Sequence, residues 1–226
     1  MAEHTCTSRS PLHGWASAFA ALAPAVQLCE SPAAQVVVRT TNEDAIARLD
    51  LPAACQVRHG GADGDDGDGG DQGEVAIWLG PDEWLLYRPA IPGHEYLTEV
   101  TGRLGDSRPD TYLMDASGQR TRLLLAGEHA RTVLAHGCAI DLAEQSFGPN
   151  DAAQTLIAQT GVILHRSGDD PASGFALLVR SSFADYLAHW LLDAAAEYCH
   201  TDAAAEYCHT DAAAEYCTST EGPRHV

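Results

Sequence analysis

The last quarter of the chain is where thiols and imidazoles gather. The stretch DAAAEYCHTDAAAEYCHTDAAAEYC, residues 193–217, writes a nine-residue unit three times and spaces Cys199-His200, Cys208-His209 and Cys217 evenly. Cysteine and histidine are the ligands of structural zinc, so the array raises the question of a metal centre. On an α-helix nine residues turn through about 900°, so successive Cys-His pairs point to opposite sides and one side recurs only after about 27 Å. One helix cannot bring them to one ion. The period matches neither seven nor eleven, so Tyr198, Tyr207 and Tyr216 form no continuous coiled-coil seam. The expectation is an Ala-rich helical extension made by duplicating a helix end.

Other residues with chemical potential are scattered. His136 and Cys138 in AHGCAIDL could share a zinc, but four ligands are needed and no second pair is placed to complete the set. Cys138 also follows a predicted helix C-terminus, where the dipole raises a thiol pKa. The pairs Asp82-Glu83 and Asp169-Asp170 fall in predicted turns, the ordinary place for solvated acids. In GGADGDDGDGGDQGE (60–74), no frame supplies the spacing of a calcium loop, and the aspartates would repel a phosphate. That stretch reads as a solvated insertion. No catalytic, cofactor-binding or metal-ligating residue is predicted in this chain.

Charge narrows the classes of partner. All 13 basic residues are arginine, against 32 acids, for a formal charge of −19. With residues 60–74 set aside, 26 acids still face the 13 arginines, so the whole surface is acidic. Such a surface argues against nucleic acid and anionic membranes and resembles that of proteins kept soluble in salt. WASAFAALAPAV near the start is too short and interrupted for a membrane span, and no signal peptide is read there. Seven cysteines without framework spacing fit thiols in a reducing cytoplasm.

The periodicities that would position such residues alternate between two and 3.6. QVVVRT (35–40) reads as a strand, Thr41-Asn42-Glu43-Asp44 as a capping box, and EVAIWLG with WLLYRP as a hairpin around Gly80-Pro81-Asp82-Glu83. A helix over HEYLTEVTGRLG and a strand over TYLMDAS complete a βαββαβ order, the split βαβ or ferredoxin-like arrangement. RTRLLLAG, EHARTVLAHG, AAQTLIAQT, GVILHRS and FALLVR repeat the theme, with Gly137 expected at a helix C-cap. SSFADYLAHWLLDAAAEYC closes it as a helix with Phe183, Tyr186, Leu187, Trp190, Leu191 and Ala194 inward and a Ser182/Asp185 capping box. The fold class is α+β: one unit over 1–200 made of two pseudo-repeated modules, about 30–118 and 119–200, followed by a repetitive tail at 201–226.

Several phrases occur together in order: SPLHGWA (10–16), IWLGPDEWLL (77–86), LLLAGEHARTVLAHGCAIDL (123–142), AQTLIAQTGVILHR (153–166) and VRSSFADYLAHWLLDAA (179–195). Together they resemble the gamma subunit of heterotetrameric sarcosine oxidase, from about residue 8 to residue 199. The acidic insertion and the tail depart from that pattern. The resemblance implies a complex that demethylates sarcosine oxidatively and passes the one-carbon unit to tetrahydrofolate. It implies FAD, FMN, NAD, tetrahydrofolate and zinc in the alpha, beta and delta subunits, and a gamma subunit similar in fold to the folate-binding domain of the glycine-cleavage aminomethyltransferase. This chain would then be a non-catalytic, cytoplasmic assembly subunit, with Trp15, Trp78 and Trp84 as candidate interface anchors; core packing is the alternative, and for Trp84, beside a turn and alternating with Leu85, it is the preferred reading. Two other readings compete: a stand-alone tetrahydrofolate-binding protein, and an acidic scaffold that self-associates through its tail.

Overall fold

The computed structural model describes residues 9–60, 73–166 and 174–199. The chain begins with helix α1 (Ala16–Ala20) and strand β1 (Gln27–Glu30). There follow β2 (Ala33–Thr40), α2 (Glu43–Arg48), β3 (Val57–His59), β4 (Val75–Gly80), β5 (Glu83–Pro89), α3 (Gly93–Leu104) and β6 (Thr111–Asp115). The remainder comprises β7 (Arg120–Ala126), α4 (Ala130–Ala135), β8 (Ala152–Ile157), β9 (Thr160–Arg166), β10 (Phe175–Arg180) and α5 (Ala184–Ala195). The thiol-rich repeats beyond Cys199, the bulk of the acidic insertion and Asp169-Asp170 lie outside the described residues.

Two five-stranded sheets form, in the orders β3-β4-β5-β2-β6 and β8-β9-β10-β7-β1. Every neighbouring pair is antiparallel. In the first sheet β2, β4, β5 and β6, with α2 after β2 and α3 after β5, make the expected split βαβ arrangement, and β3 extends its edge. The second sheet repeats the plan with β7, β9 and β10, α4 after β7 and α5 after β10, but its last place is filled by β1. The chain therefore starts in the second sheet, builds the first, and returns. Neither β1 nor β3 was expected from the sequence, because strands of four and three residues carry almost no periodic signal.

Strand alternation divides the core into layers. On β5, Trp84 and Leu86 join the cluster beneath α2 and α3, while Leu85 and Tyr87 face the other sheet. On β10, Phe175, Leu177 and Val179 pack beneath the second set of helices, and Leu178 meets Ile163, Ile77 and Leu85 between the sheets. Each fully buried leucine or isoleucine there contributes about 1.5–3 kcal/mol relative to exposure. The sheets also touch at their edges, where Val57 N–H donates to the Asn150 carbonyl (2.8 Å) and Ala152 N–H to the Cys55 carbonyl (3.0 Å).

Several local expectations change. Asn42, not Thr41, caps α2, its side-chain oxygen accepting from Asp44 N (2.9 Å) and Ala45 N (3.2 Å). The hairpin turn is tighter than four residues, since Gly80 pairs with Glu83 after an irregularity at Trp78. Ser182 does not cap α5: Ser181–Phe183 is a 3-10 turn, and no side chain caps the helix. The buried stripe of α5 is Ala184, Leu187, Ala188, Leu191 and Ala195, which leaves Phe183 47% and Tyr186 40% exposed. Small alanines let the helix approach the sheet closely, and this rotates the stripe from the one drawn through the largest residues. Gly137 leaves room for a ring and is not a left-handed cap, because a Cβ there would sit 2.5 Å from Trp190.

Candidate functional site

Glu74 ends the acidic stretch that the sequence reads as solvated, yet it is buried. It immediately precedes β4, and the strand's alternation aims it at α3, which supplies Tyr96 and Arg103. Arg103 donates to both carboxylate oxygens (3.0 and 2.6 Å), Tyr96 O–H to Oε2 (2.8 Å) and Arg58 of β3 to Oε1 (3.1 Å). Burial alone would raise the Glu74 carboxyl pKa, but the hydrogen bonds and charge of Arg103, with Tyr96 and Arg58, bring it below the usual range. The same burial and the Glu74 charge push the Tyr96 phenol well up, so it stays a donor. This cluster is an ion-pair lock that ties α3 and β3 to β4.

A second polar group lies between the sheets. Tyr87 and His165 are buried with their side-chain atoms 2.9 Å apart. His165 Nδ1 faces the Arg166 carbonyl, which can only accept, so Nδ1 carries the hydrogen and Tyr87 O–H donates to Nε2. Burial, then the neighbouring His59 and Arg122, lower the His165 pKa to about 3 against the lift from that carbonyl, so the ring is neutral. Arg122 lies over the Tyr87 ring, 5.1 Å from its centroid, and its Nε donates to the Ser31 carbonyl (3.0 Å). Gln35 Nε2 donates to the Arg120 carbonyl (2.7 Å). These contacts pin the first sheet to the second.

At the outer rim of this joint a groove of about 370 Å³ is lined by Asp50, Pro52, Gln56, Val57, Arg58, His59 and Asn150. Its main cation, Arg58, is already held by Glu74 and, at 3.2 Å, by Asp50. The groove therefore presents a neutralised wall and not a prepared anion cradle.

The residues singled out from the sequence are dispersed. His136 Nε2 meets Tyr198 Oη at 2.9 Å and Glu197 at 3.1 Å, while Cys138 bridges to Ile157 and packs on the core beneath α5. Tyr198 also stacks on His129 (4.7 Å), and Cys199 Sγ lies 3.4 Å from the Leu22 carbonyl. The first copy of the repeated motif is thus a docked helix end. Asp82 pairs with Arg39 at 2.8 Å, and Glu83 opens β5. Trp84 is core, as the alternation with Leu85 led one to expect, its Nε1 donating to the Pro52 carbonyl (2.9 Å). Trp78 packs partly on the same core, and Trp15 stacks on Phe19 (5.9 Å) and meets His189 edge-on (4.4 Å). What sequence reasoning missed is the buried set Glu74, Tyr87, Arg122 and His165. Its one signal was a polar residue at a strand position flanked by apolar neighbours, as in RTRLLL and VILHR.

Comparison with known proteins settles the family. The model of the sarcosine oxidase, gamma subunit family matches residues 70–197. The chain belongs to that family. The gamma subunit of sarcosine oxidase from Corynebacterium sp. (strain P-1) is 37% identical over 126 residues, which make up 56% of this chain and 59% of the relative. The match thus spans under two thirds of that relative's length. In three dimensions the chain is similar to one from heterotetrameric sarcosine oxidase of Corynebacterium sp. U-96, solved with pyrrole 2-carboxylate: TM-score 0.70, 31% identity, covering 86% of this chain and 98% of that one. It also shares a fold with the glycine cleavage system aminomethyltransferase T of Bartonella henselae, at TM-score 0.56 and 18% identity, covering 78% of this chain and 48% of that chain. The two-sheet architecture of this gamma-family chain is therefore common to both. Among its described residues, no helix is long and apolar enough to cross a membrane.

Proposed function

We propose that this chain is a non-catalytic subunit of a heterotetrameric sarcosine oxidase and acts in assembling and holding that complex. The observation that carries the reading is the likeness over 98% of a chain from such a complex, at 31% identity. The internal chemistry agrees with it. Glu74, Arg58 and Arg103 neutralise one another, and His165 with Tyr87 is sealed between the sheets, so these groups hold structure together. FAD, FMN, NAD, tetrahydrofolate and zinc are assigned to the alpha, beta and delta subunits, and the oxidative demethylation of sarcosine to the complex as a whole, in the cytoplasm.

The test is coexpression of this chain with the other subunits, followed by copurification and sarcosine-dependent oxygen consumption. The expected result is a complex that contains this chain and loses its integrity when the chain is left out. A chain that remains monomeric beside those subunits and binds tetrahydrofolate alone would overturn the proposal in favour of a stand-alone folate-binding protein.

A further inference from the structure

The two sheets do not overlap completely, and at the end where β6 projects the inner face of the first sheet is uncovered. Leu113 of β6 packs on the helix side, so Tyr112 and Met114 point the other way, toward the gap between the sheets. They are 75% and 57% exposed, the two most exposed large apolar side chains among the described residues. Met114 sits in register with Val37 and Tyr112 with Arg39, and Arg39 in turn with Glu83 on β5.

The opposite wall is basic. Arg120 and Arg180 are direct cross-strand partners on β7 and β10, and their alternation with Val179, which packs under α5, turns them toward the first sheet. Like charges placed opposite each other in a sheet destabilise it. Arg120 feels Glu83 across the gap, while neither Arg120 nor Arg180 forms an ion pair among the described residues. Arg39 is engaged by Asp82. A chain with a formal charge of −19 thus keeps a locally basic spot beside its most exposed aromatic and methionine.

The place that corresponds to β6 in the second sheet is held by β1, whose matching side chains, Gln27 and Cys29, are small or polar. Two strands with one position in the plan therefore differ where it counts, which marks the β6 side as the specialised one. Tyrosine, arginine and methionine are the residues enriched at protein interfaces, and a carboxylate placed between two guanidiniums gains charge-assisted hydrogen bonds from both.

We infer that the mouth formed by Tyr112, Met114, Arg39, Glu83, Arg120 and Arg180 is the docking surface for another subunit, which presents there an Asp or Glu carboxylate beside an apolar side chain. A second copy of this chain fits poorly, since the acids of the patch, Asp82 and Glu83, already lie beside Arg39 and the two acidic bodies repel. The inference rests on the subunit reading above.

The experiment uses the assembled complex carrying a labelled copy of this chain, with affinity measured by displacement with purified unlabelled wild type or variant. Arg180→Glu is expected to weaken binding about 100-fold and to flatten its salt dependence. The double variant Tyr112→Ser/Met114→Ser, at exposed positions where folding is least at risk, should weaken it about 10-fold with the salt slope intact. Wild-type assembly with both variants binding within twofold of it would overturn the docking surface. A wild-type chain that fails to assemble overturns the subunit reading instead. A wild-type dimer in sedimentation that Arg180→Glu dissociates would reassign the surface to self-contact and also overturn the inference.

Discussion

On the helix side of the first sheet Glu74 lies buried among Arg103, Arg58 and Tyr96, whereas the helix side of the second sheet is filled by Leu123, Leu125, Leu177, Leu187 and Leu191. Both halves follow one plan of strands and helices, but they secure their helices differently. The second half has three helices to cover its sheet and can bury a broad apolar face. The first has two, one of them six residues long, and it fastens α3 through charge. A buried ion lock of this kind is less a source of stability than a set of partners that must all be present, because removing one strands the others in a dry environment.

The comparison can be broken most directly at Glu74. Glu74→Gln should destabilise the chain by about 3–5 kcal/mol, read as a lower urea midpoint, because half-buried Arg103 and Arg58 lose the buried carboxylate they share. An unchanged midpoint would show that water reaches the cluster and that the halves do not differ in kind.

A smaller effect separates the helix-side lock from the inter-sheet joint by pH. His165 has a folded pKa of about 3 against 6.5 unfolded, so the unfolded chain binds the extra proton between those values. Its contribution is complete above pH 6.5 and is lost progressively as pH falls from there toward the folded value of about 3. The lowered carboxyl of Glu74 behaves likewise in a lower window: its contribution is present above the unfolded value of 4.5 and is lost as pH falls through the folded value. Chemical denaturation across pH in wild type and His165→Gln should show the upper slope reduced in the variant and the lower one retained. Identical slopes would remove His165 from the account.

The smallest expected effect tests the second half. Gly137→Ala places a methyl against Trp190 and should cost about 1–3 kcal/mol in thermal or urea denaturation, through overpacking. If Gly137 served as a left-handed cap, the cost would instead persist when Trp190 is trimmed to Leu. The overpacking account predicts that Trp190→Leu absorbs most of it.

How much of this was legible follows from the range of each interaction. The hairpin of β4 and β5, the helices α3 and α4 with their inward faces, and the β8–β9 pair were readable because their signals are local: alternation, turn residues and helical spacing within one window. The face of α5 was misjudged because Phe183 and Tyr186 satisfy the helical period as well as Ala184 and Ala188 do. Hydrophobicity alone cannot choose between two stripes one residue apart. Glu74 was misplaced for the opposite reason: it is the last acid of a polar run, and composition averages over the one position where the strand begins. For Trp84 the alternation with Leu85 favoured core, and Pro52, 32 residues away, supplied the partner for its indole.

By itself, then, the sequence determined the class of fold, the order of its elements through most of the chain and, through a few contiguous phrases, its family. All of these are written in short-range patterns that each segment carries wherever it lies. Only the tertiary structure decided that β1 crosses to complete the second sheet, that Glu74 and His165 are buried, and that Arg120 meets Arg180 beside the open face of β6. Those facts depend on pairings across scores of residues, where register and sheet overlap, and not local propensity, set which groups meet.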